Sequence, residues 1–498
     1  MFGDLLSPLV VNLAVLSLVV ITICWHRYLS ARAQFTKVQN PSDVGSVPPT
    51  FPHVFPLLGS LPLDYLWSPK EFVLNPNNFF QSLQPALVRV LHHKFYVVRG
   101  SENVKALFKA SGACTSIPFV KFALGYAFGL PAKALRFMQD RVGSDWVCHE
   151  DLMSLVGNEA TVATLNALCG PYLLKLNPNF LQDYWEFDRN LQTYLQGMPW
   201  FLAPRAYAAR KRALNATQIW QQHARDHFDE SKMDANGDDP FWGSSFFRER
   251  HRMFLEMDGF DRAAIASEDF GAIWAVRNSI TAVSWMIFDI YRDPELLACV
   301  RAEIDTCIRE CTNGVPEYDV DQLLRLPVLQ AVYAETLRLR MHFYIIRMPD
   351  RVDINIKDWV IPRQKVIVTP TTVAHMDTQA WYTGLDNEYP VEKFWAGRFL
   401  QSSREATGGS YEAPRFSTKN LEGSWIPYGG GPRQCPGRHF AKRQILLTTA
   451  LMISLFDCEI QPEGINMQED VSLMGFGGGV SHPAGKVPAK IRRKKTRT

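Results

Sequence analysis

WIPYGGGPRQCPGRHFAKRQ, Trp425 to Gln444, sets a cysteine at the end of a glycine-rich turn and starts an amphipathic helix directly behind it. Gly429, Gly430 and Gly431 give a backbone that can fold tightly against a flat partner without Cβ clashes. Pro432 stiffens the turn, and Pro436 suits the first turn of a helix, where a missing N–H costs little. Cys435 therefore sits where unpaired amides and the positive end of a helix dipole favour its thiolate. This is a metal ligand's position. Read alone, Cys435 is also one of nine cysteines and could be a small buried hydrophobe.

Together, Tyr428, Gly431, Arg433, Cys435 and Gly437 resemble the haem-binding signature of the cytochrome P-450 family, with Tyr428 where that pattern has Phe. The resemblance runs across most of the chain behind its N-terminal stretch. It implies a mainly α fold with small β-sheets, a haem b whose iron takes the Cys435 thiolate, and Arg433 as a residue for a haem propionate. Gly437 leaves room for the flat ring at the helix start. Arg347 is a second propionate candidate, with a surface role as its alternative.

A chain of 498 residues with 47% apolar content can bury a large core. The formal charge of +3 comes from the tail: the seven Lys and Arg after Gly485 exceed it, and the rest of the chain is slightly acidic. Nothing in that balance suggests a nucleic-acid surface, and KIRRKKTRT reads as a solvated terminus. The cysteines form no CxxC pairs and no disulfide framework, which fits a reducing compartment. Cys307 and Cys311, spaced by a helical turn, read as packing residues.

Leu5 to Trp25 is an almost unbroken apolar run, long enough to cross a bilayer core. MFGD carries no basic n-region, so the run reads as an anchor over residues 1–26 and not as a cleaved signal. Arg27, Arg32 and Lys37 behind it place the body of the protein in the cytosol. Such an anchor is similar to that of endoplasmic-reticulum members of the family. Residues 27–62 form a basic, proline-rich hinge, and residues 63–498 form one haem-thiolate catalytic domain.

Ala86 to Gly100 alternates around His92 and His93 and suggests a β-hairpin with the histidines at its turn. Val120 to Phe228 is mostly helical, broken by the apolar loop GMPWFLAP, Gly197 to Pro204, expected to lie over the active site. Phe187–Asp188 and Ala206 to Arg210 around it resemble the roof segment of cholesterol 7α-hydroxylase and prostacyclin synthase, with plain helical packing as the alternative. Phe270 to Tyr291 reads as a long apolar helix ended by Asp293–Pro294. In the family this helix crosses the face of the haem where oxygen binds. The positions that commonly hold an acid and a threonine read Arg277, Asn278 and Ser279 here. Their absence puts proton delivery in question. Asn278, with Ser279, is the candidate for ordering water or substrate; its alternative is a local backbone partner.

Leu326 to Arg340 sets Glu335 and Arg338 one turn apart on a helix, and FWAGRFL supplies Arg398. The resemblance implies that these three form a buried charge network behind the cysteine loop. Val352, Ile354 and Ile356 alternate like a strand, and Met474 to Pro483 forms a glycine-rich turn similar to the family's last substrate-contacting loop. The sequence shows no fused flavin or nicotinamide domain, so electrons are expected from an NADPH-cytochrome reductase or cytochrome b5; Arg438, Lys442 and Arg443 are the candidate basic face for it, with a plain solvated helix face as the alternative. The expected activity is insertion of one oxygen atom from dioxygen into a lipophilic small molecule: a terpenoid, sterol-like or polyketide intermediate. The missing acid–threonine pair leaves open a haem-thiolate isomerase or dehydratase needing no reductase, and a third class is a non-catalytic haem-binding protein.

Overall fold

A computed structural model describes residues 17, 19, 21–30, 47–50, 85–90, 93–110, 114–115 and 145–494, the last span without 235, 313–314, 402–413 and 474. Ser17, Val19 and residues 21–30 are helical, and among the described residues no helix is long and apolar enough to cross a membrane. The rest of the anchor, most of the hinge and His92 lie outside the described residues.

Eight helices organise the core: α1 Ser101–Ala110, α2 Leu152–Cys169, α3 Phe180–Arg189, α4 Pro204–His227, α5 Arg262–Trp274, α6 Arg277–Tyr291, α7 Pro327–Arg340 and α8 Arg438–Leu455. From Ser279 to Tyr291 every residue of α6 is buried, because Trp285, Met286, Phe288 and Ile290 fill the space between α2, α7 and α8. Its end is sharp. Asp293 Oδ1 accepts from the N–H groups of Glu295 and Leu296, and Pro294 opens the next helix.

The main sheet runs β1 Ala86–Val90, β2 His93–Val97, β3 Met341–Pro349, β4 Val366–Pro370 and β5 Gly478–Val480, in the spatial order β1-β2-β4-β3-β5. The expected hairpin is present, with Ala86 opposite Val97. Ile367 lies opposite Arg347 on β3, and Gly478 lies opposite Phe343. The C-terminal glycine turn is thereby stitched beside the strand that follows α7.

Five expectations change. The helix read as continuous from Phe270 to Tyr291 is broken between Trp274 and Arg277. At the break the Tyr184 hydroxyl donates to the Trp274 carbonyl (3.3 Å) and the Ser279 hydroxyl points to the Val276 carbonyl (2.8 Å), so side chains compete with the regular ladder. The loop from Gly197 to Pro204 exposes Trp200, Phe201 and Leu202 at 67, 63 and 65% instead of packing them inward. Ala489–Arg493 of the basic tail is a strand paired with Phe456–Ile460, with Ile491 fully buried. Cys307 follows a helix that ends at Asp305, and Cys311 lies in the strand Ile308–Thr312, so the two do not share a helical face. Ile354 and Ile356 are buried as their alternation suggests, whereas Val352 is exposed.

Candidate active site

The loop ahead of α8 is shaped by glycines at two positions that need them. Gly429 and Gly431 have φ of +71° and +67°, in the left-handed region that disfavours a Cβ. A Cβ on Gly430 would stand 2.1 Å from the Phe108 ring of α1. Pro432 sits in a short 3₁₀ turn, Gly431–Arg433, and α8 starts at Arg438 with Gly437 as its cap, so Pro436 precedes the helix. Cys435 N–H donates to the Tyr428 carbonyl (2.9 Å), which closes the loop.

Cys435 keeps accessible surface at the wall of this loop. Protein packed around the thiol pushes its pKa up. The N–H of Gly437, then the Arg438 charge and N–H, pull the other way. Those donors suit a thiolate bound to a cation, which removes the proton that burial would retain. Arg347 is buried and donates from Nη2 to the backbone carbonyl of Arg433 (2.9 Å), so the two propionate candidates lie together beside the cysteine loop, Arg433 being exposed. A sulfur ligand under N–H groups, a Cβ-free turn and a buried Arg347 tied to the backbone of Arg433 fit a haem with its carboxylates.

Tyr428, which replaces the Phe of the family pattern, puts its hydroxyl 2.7 Å from that of Tyr333 on α7. Burial is the main cause that raises both phenols' pKa values, and the neighbouring Cys435 adds to it.

Glu335, Arg338 and Arg398 come together with all three side chains fully buried. Arg338 donates from Nε and Nη2 to the two oxygens of Glu335 (2.7 and 2.9 Å), and Arg398 Nε reaches Glu335 Oε1 (3.2 Å). Their remaining donors go to backbone carbonyls: Arg338 to His375 and Val391, Arg398 to Tyr389 and Pro390. His375 then accepts the Ile426 N–H at Nε2 (3.2 Å), and Trp425 Nε1 donates to the Ala334 carbonyl (3.0 Å). These contacts join the network to the stretch that leads into Cys435.

Asn278 and Ser279 separate. Ser279 is buried, and its single hydroxyl proton is shared between the Val276 carbonyl and Gln444 Oε1 of α8, whose Nε2 donates to Thr164 of α2, so the hydroxyl is spent between helices. Asn278 Oδ1 accepts from Arg277 Nη1 and from the Val480 N–H. Sequence reasoning missed the charged cluster next to it. Asp188 at the end of α3 lies 2.9 Å from Arg277 Nε and 2.6 Å from His482 Nε2, and accepts from Trp274. Burial alone would raise the Asp188 pKa, but the Arg277 charge, then His482 and Trp274, hold it down at about 2. The signal was the arginine, Arg277, at the head of an apolar helix; Asp188 is one of three acids on α3 and gave none by itself.

The cluster belongs to a cavity of about 760 Å³ between α2, α3, α6 and the C-terminal segment, walled by Trp185, Asp188, Arg277, Ser284 and His482 among others. Cys435, Asn278 and the loop 197–204 do not line it. It is therefore a space separate from the one that Cys435 faces. Of the basic face, Lys442 turns inward to Gln330 Oε1 (2.5 Å) and its pKa is lowered by burial, while Arg443 is exposed.

The cytochrome P450 family model matches residues 189–480. The chain is similar to cytochrome P450 monooxygenase efuG of Hormonema carpetanum, 30% identical over 90% of both chains. It is similar also to cytochrome P450 monooxygenase fsoE of Humicola fuscoatra, 29% identical over 90% of this chain and 88% of that one. Cytochrome P450 7A1 of Oryctolagus cuniculus is 25% identical over 60% of this chain and 57% of its own length. Family and relatives agree with the cysteine loop: the chain belongs to the cytochrome P450 family and is a monooxygenase whose cofactor is haem held by an axial cysteine thiolate.

Proposed function

We propose that Cys435 is the axial ligand of a membrane-anchored monooxygenase, that residues 1–26 fix it in the endoplasmic-reticulum membrane with a cytosolic catalytic domain over 63–498, and that it oxidises a terpenoid, sterol-like or polyketide substrate. The observation that carries the ligand assignment is the Cys435 thiol, set on a left-handed glycine turn under the N–H groups of Gly437 and Arg438. When bound, the haem supplies the dioxygen-activating chemistry, with electrons delivered by an NADPH-cytochrome reductase.

The protein's own residues hold and orient. Arg433 and Arg347 would bind the carboxylates of the ring, Glu335, Arg338 and Arg398 fix the loop from behind, and Asn278 orders substrate or water on the opposite side. The membrane reading is supported by the apolar run from Leu5 to Trp25 and by the exposed Trp200, Phe201 and Leu202, side chains that suit a bilayer interface. Membranes carrying the protein, given candidate lipophiles with and without reductase under isotopic dioxygen, test the reading. Labelled product that needs the reductase supports it, and product formed without either contradicts it.

A further inference from the structure

Between Gly271 and Ile280 the residues that keep accessible surface are Gly271, Trp274, Ala275 and Asn278, while Ala272, Ile273, Val276, Arg277, Ser279 and Ile280 are buried. Although the hydrogen-bond ladder breaks between Trp274 and Arg277, Ala275 and Val276 keep right-handed helical backbone angles, so positions spaced 0, 3, 4 and 7 stay on one face and form a single accessible stripe. The indole N–H of Trp274 is already given to Asp188. Asn278 therefore carries the free polar group of the stripe.

Its amide has a fixed orientation. Oδ1 receives Arg277 Nη1 (2.8 Å) and the Val480 N–H (2.9 Å). Both are pure donors, so turning the amide over would set its NH2 against two N–H groups. Arg277 is itself held: Asp188 lies 2.9 Å from its Nε, and the Gly478 carbonyl accepts its Nη1 (3.1 Å). The close approach explains the glycine run. A Cβ on Gly479, whose φ is +128°, would stand 2.1 Å from Asn278 Oδ1 and 2.7 Å from Arg277 Nη1. Nδ2 has no hydrogen-bond partner among the described residues.

Resting on the reading that this stripe overlooks the substrate, we propose that Asn278 presents a one-way hydrogen-bond donor, held by Asp188 and Arg277 as positioning residues. The substrate is accordingly a lipophile with an acceptor oxygen, a carbonyl or ether. The alcohol usual in the family both donates and accepts; the clamped amide only donates. A hydrocarbon of the same shape would strip water from Nδ2 and return no hydrogen bond.

The test titrates the holoenzyme with cyclic ketones of increasing ring size and the matching cycloalkanes, read by the ferric Soret shift and by heat of binding. For the ring that fits, the ketone should bind about tenfold tighter than the cycloalkane, the scale of one net hydrogen bond. Asn278→Leu should bring that ratio to one with cycloalkane affinity retained. Asp188→Asn should weaken the ketone alone. If Asn278→Leu does not fold, Asn278→Asp, which removes the NH2, must lose the same preference. Equal affinities across the series in the wild type, or a ketone preference that survives the Asn278 variants, overturns the proposal. An unchanged preference in Asp188→Asn overturns the positioning role. Failure of the underlying reading is distinct: if the stripe does not overlook the substrate, Asn278→Phe, whose bulk a bound ring would meet, leaves both ketone and cycloalkane affinities unchanged on an intact thiolate-type haem spectrum.

Discussion

Asp188 and Arg277 meet where the long helix breaks, with carboxylate Oδ1 2.9 Å from guanidinium Nε and both side chains buried. The pair ties α3 to the first turn of α6, and its charge has a measurable pH signature. The Asp188 pKa is about 2 in the folded protein, below its ordinary value of 3.8. A depressed carboxyl contributes stability above its unfolded pKa and loses it as pH falls through the folded one. Asp188→Asn should therefore cost on the order of 2 kcal/mol at neutral pH. In denaturant melts, the gap between variant and wild type should close as pH falls from about 4 towards 2. A pH-independent gap would mean that shape, not charge, is lost.

Removing Glu335 strands two guanidinium groups in the core. Breaking such a buried pair costs about 3–5 kcal/mol, so Glu335→Ala should yield polypeptide with little retained haem. Haem content per chain, measured with the unfolding midpoint, checks it; full occupancy would detach the network from the cysteine loop.

The Tyr333–Tyr428 pair calls for a double-mutant cycle. Either single Phe variant leaves one buried phenol without its partner, at a cost of about 1–3 kcal/mol. The double variant should cost less than the sum of the singles. Additive losses would show that the 2.7 Å contact contributes nothing of its own.

On the basic face, the inward turn of Lys442 separates two effects. Arg443→Glu should slow reduction by the reductase, most at low salt, because an exposed charge is screened over about 10 Å at 0.1 M. Lys442→Gln should instead leave the salt dependence unchanged, since Gln330 takes its ammonium. Stopped-flow reduction across a salt series distinguishes them.

What the sequence disclosed follows the range of the interactions involved. The Cys435 turn, the Asp293–Pro294 helix boundary and the Glu335–Arg338 spacing are local patterns, and local physics sets them. The break at Trp274–Arg277 was not legible, because Asp188 that draws both residues aside lies on another helix, 89 positions from Arg277 in the chain. Lys442 has the sequence context of a surface charge, but Gln330, which turns it inward, lies on α7, 112 positions away. The tail KIRRKKTRT has the composition of a solvated end, yet Ile491 and its pairing with Cys458 draw Ala489–Arg493 into a sheet. Asn278 stood out as a polar residue on an apolar helix, but the direction of its amide depends on Val480, 202 residues away.

The most direct test of the whole account is the absorption spectrum of the reduced, carbon-monoxide-treated protein, wild type against Cys435→Ala. The account predicts the red-shifted Soret band of sulfur ligation in the wild type and its disappearance in the variant. A wild-type protein without that band, or a variant that keeps it, would contradict Cys435 as the ligand.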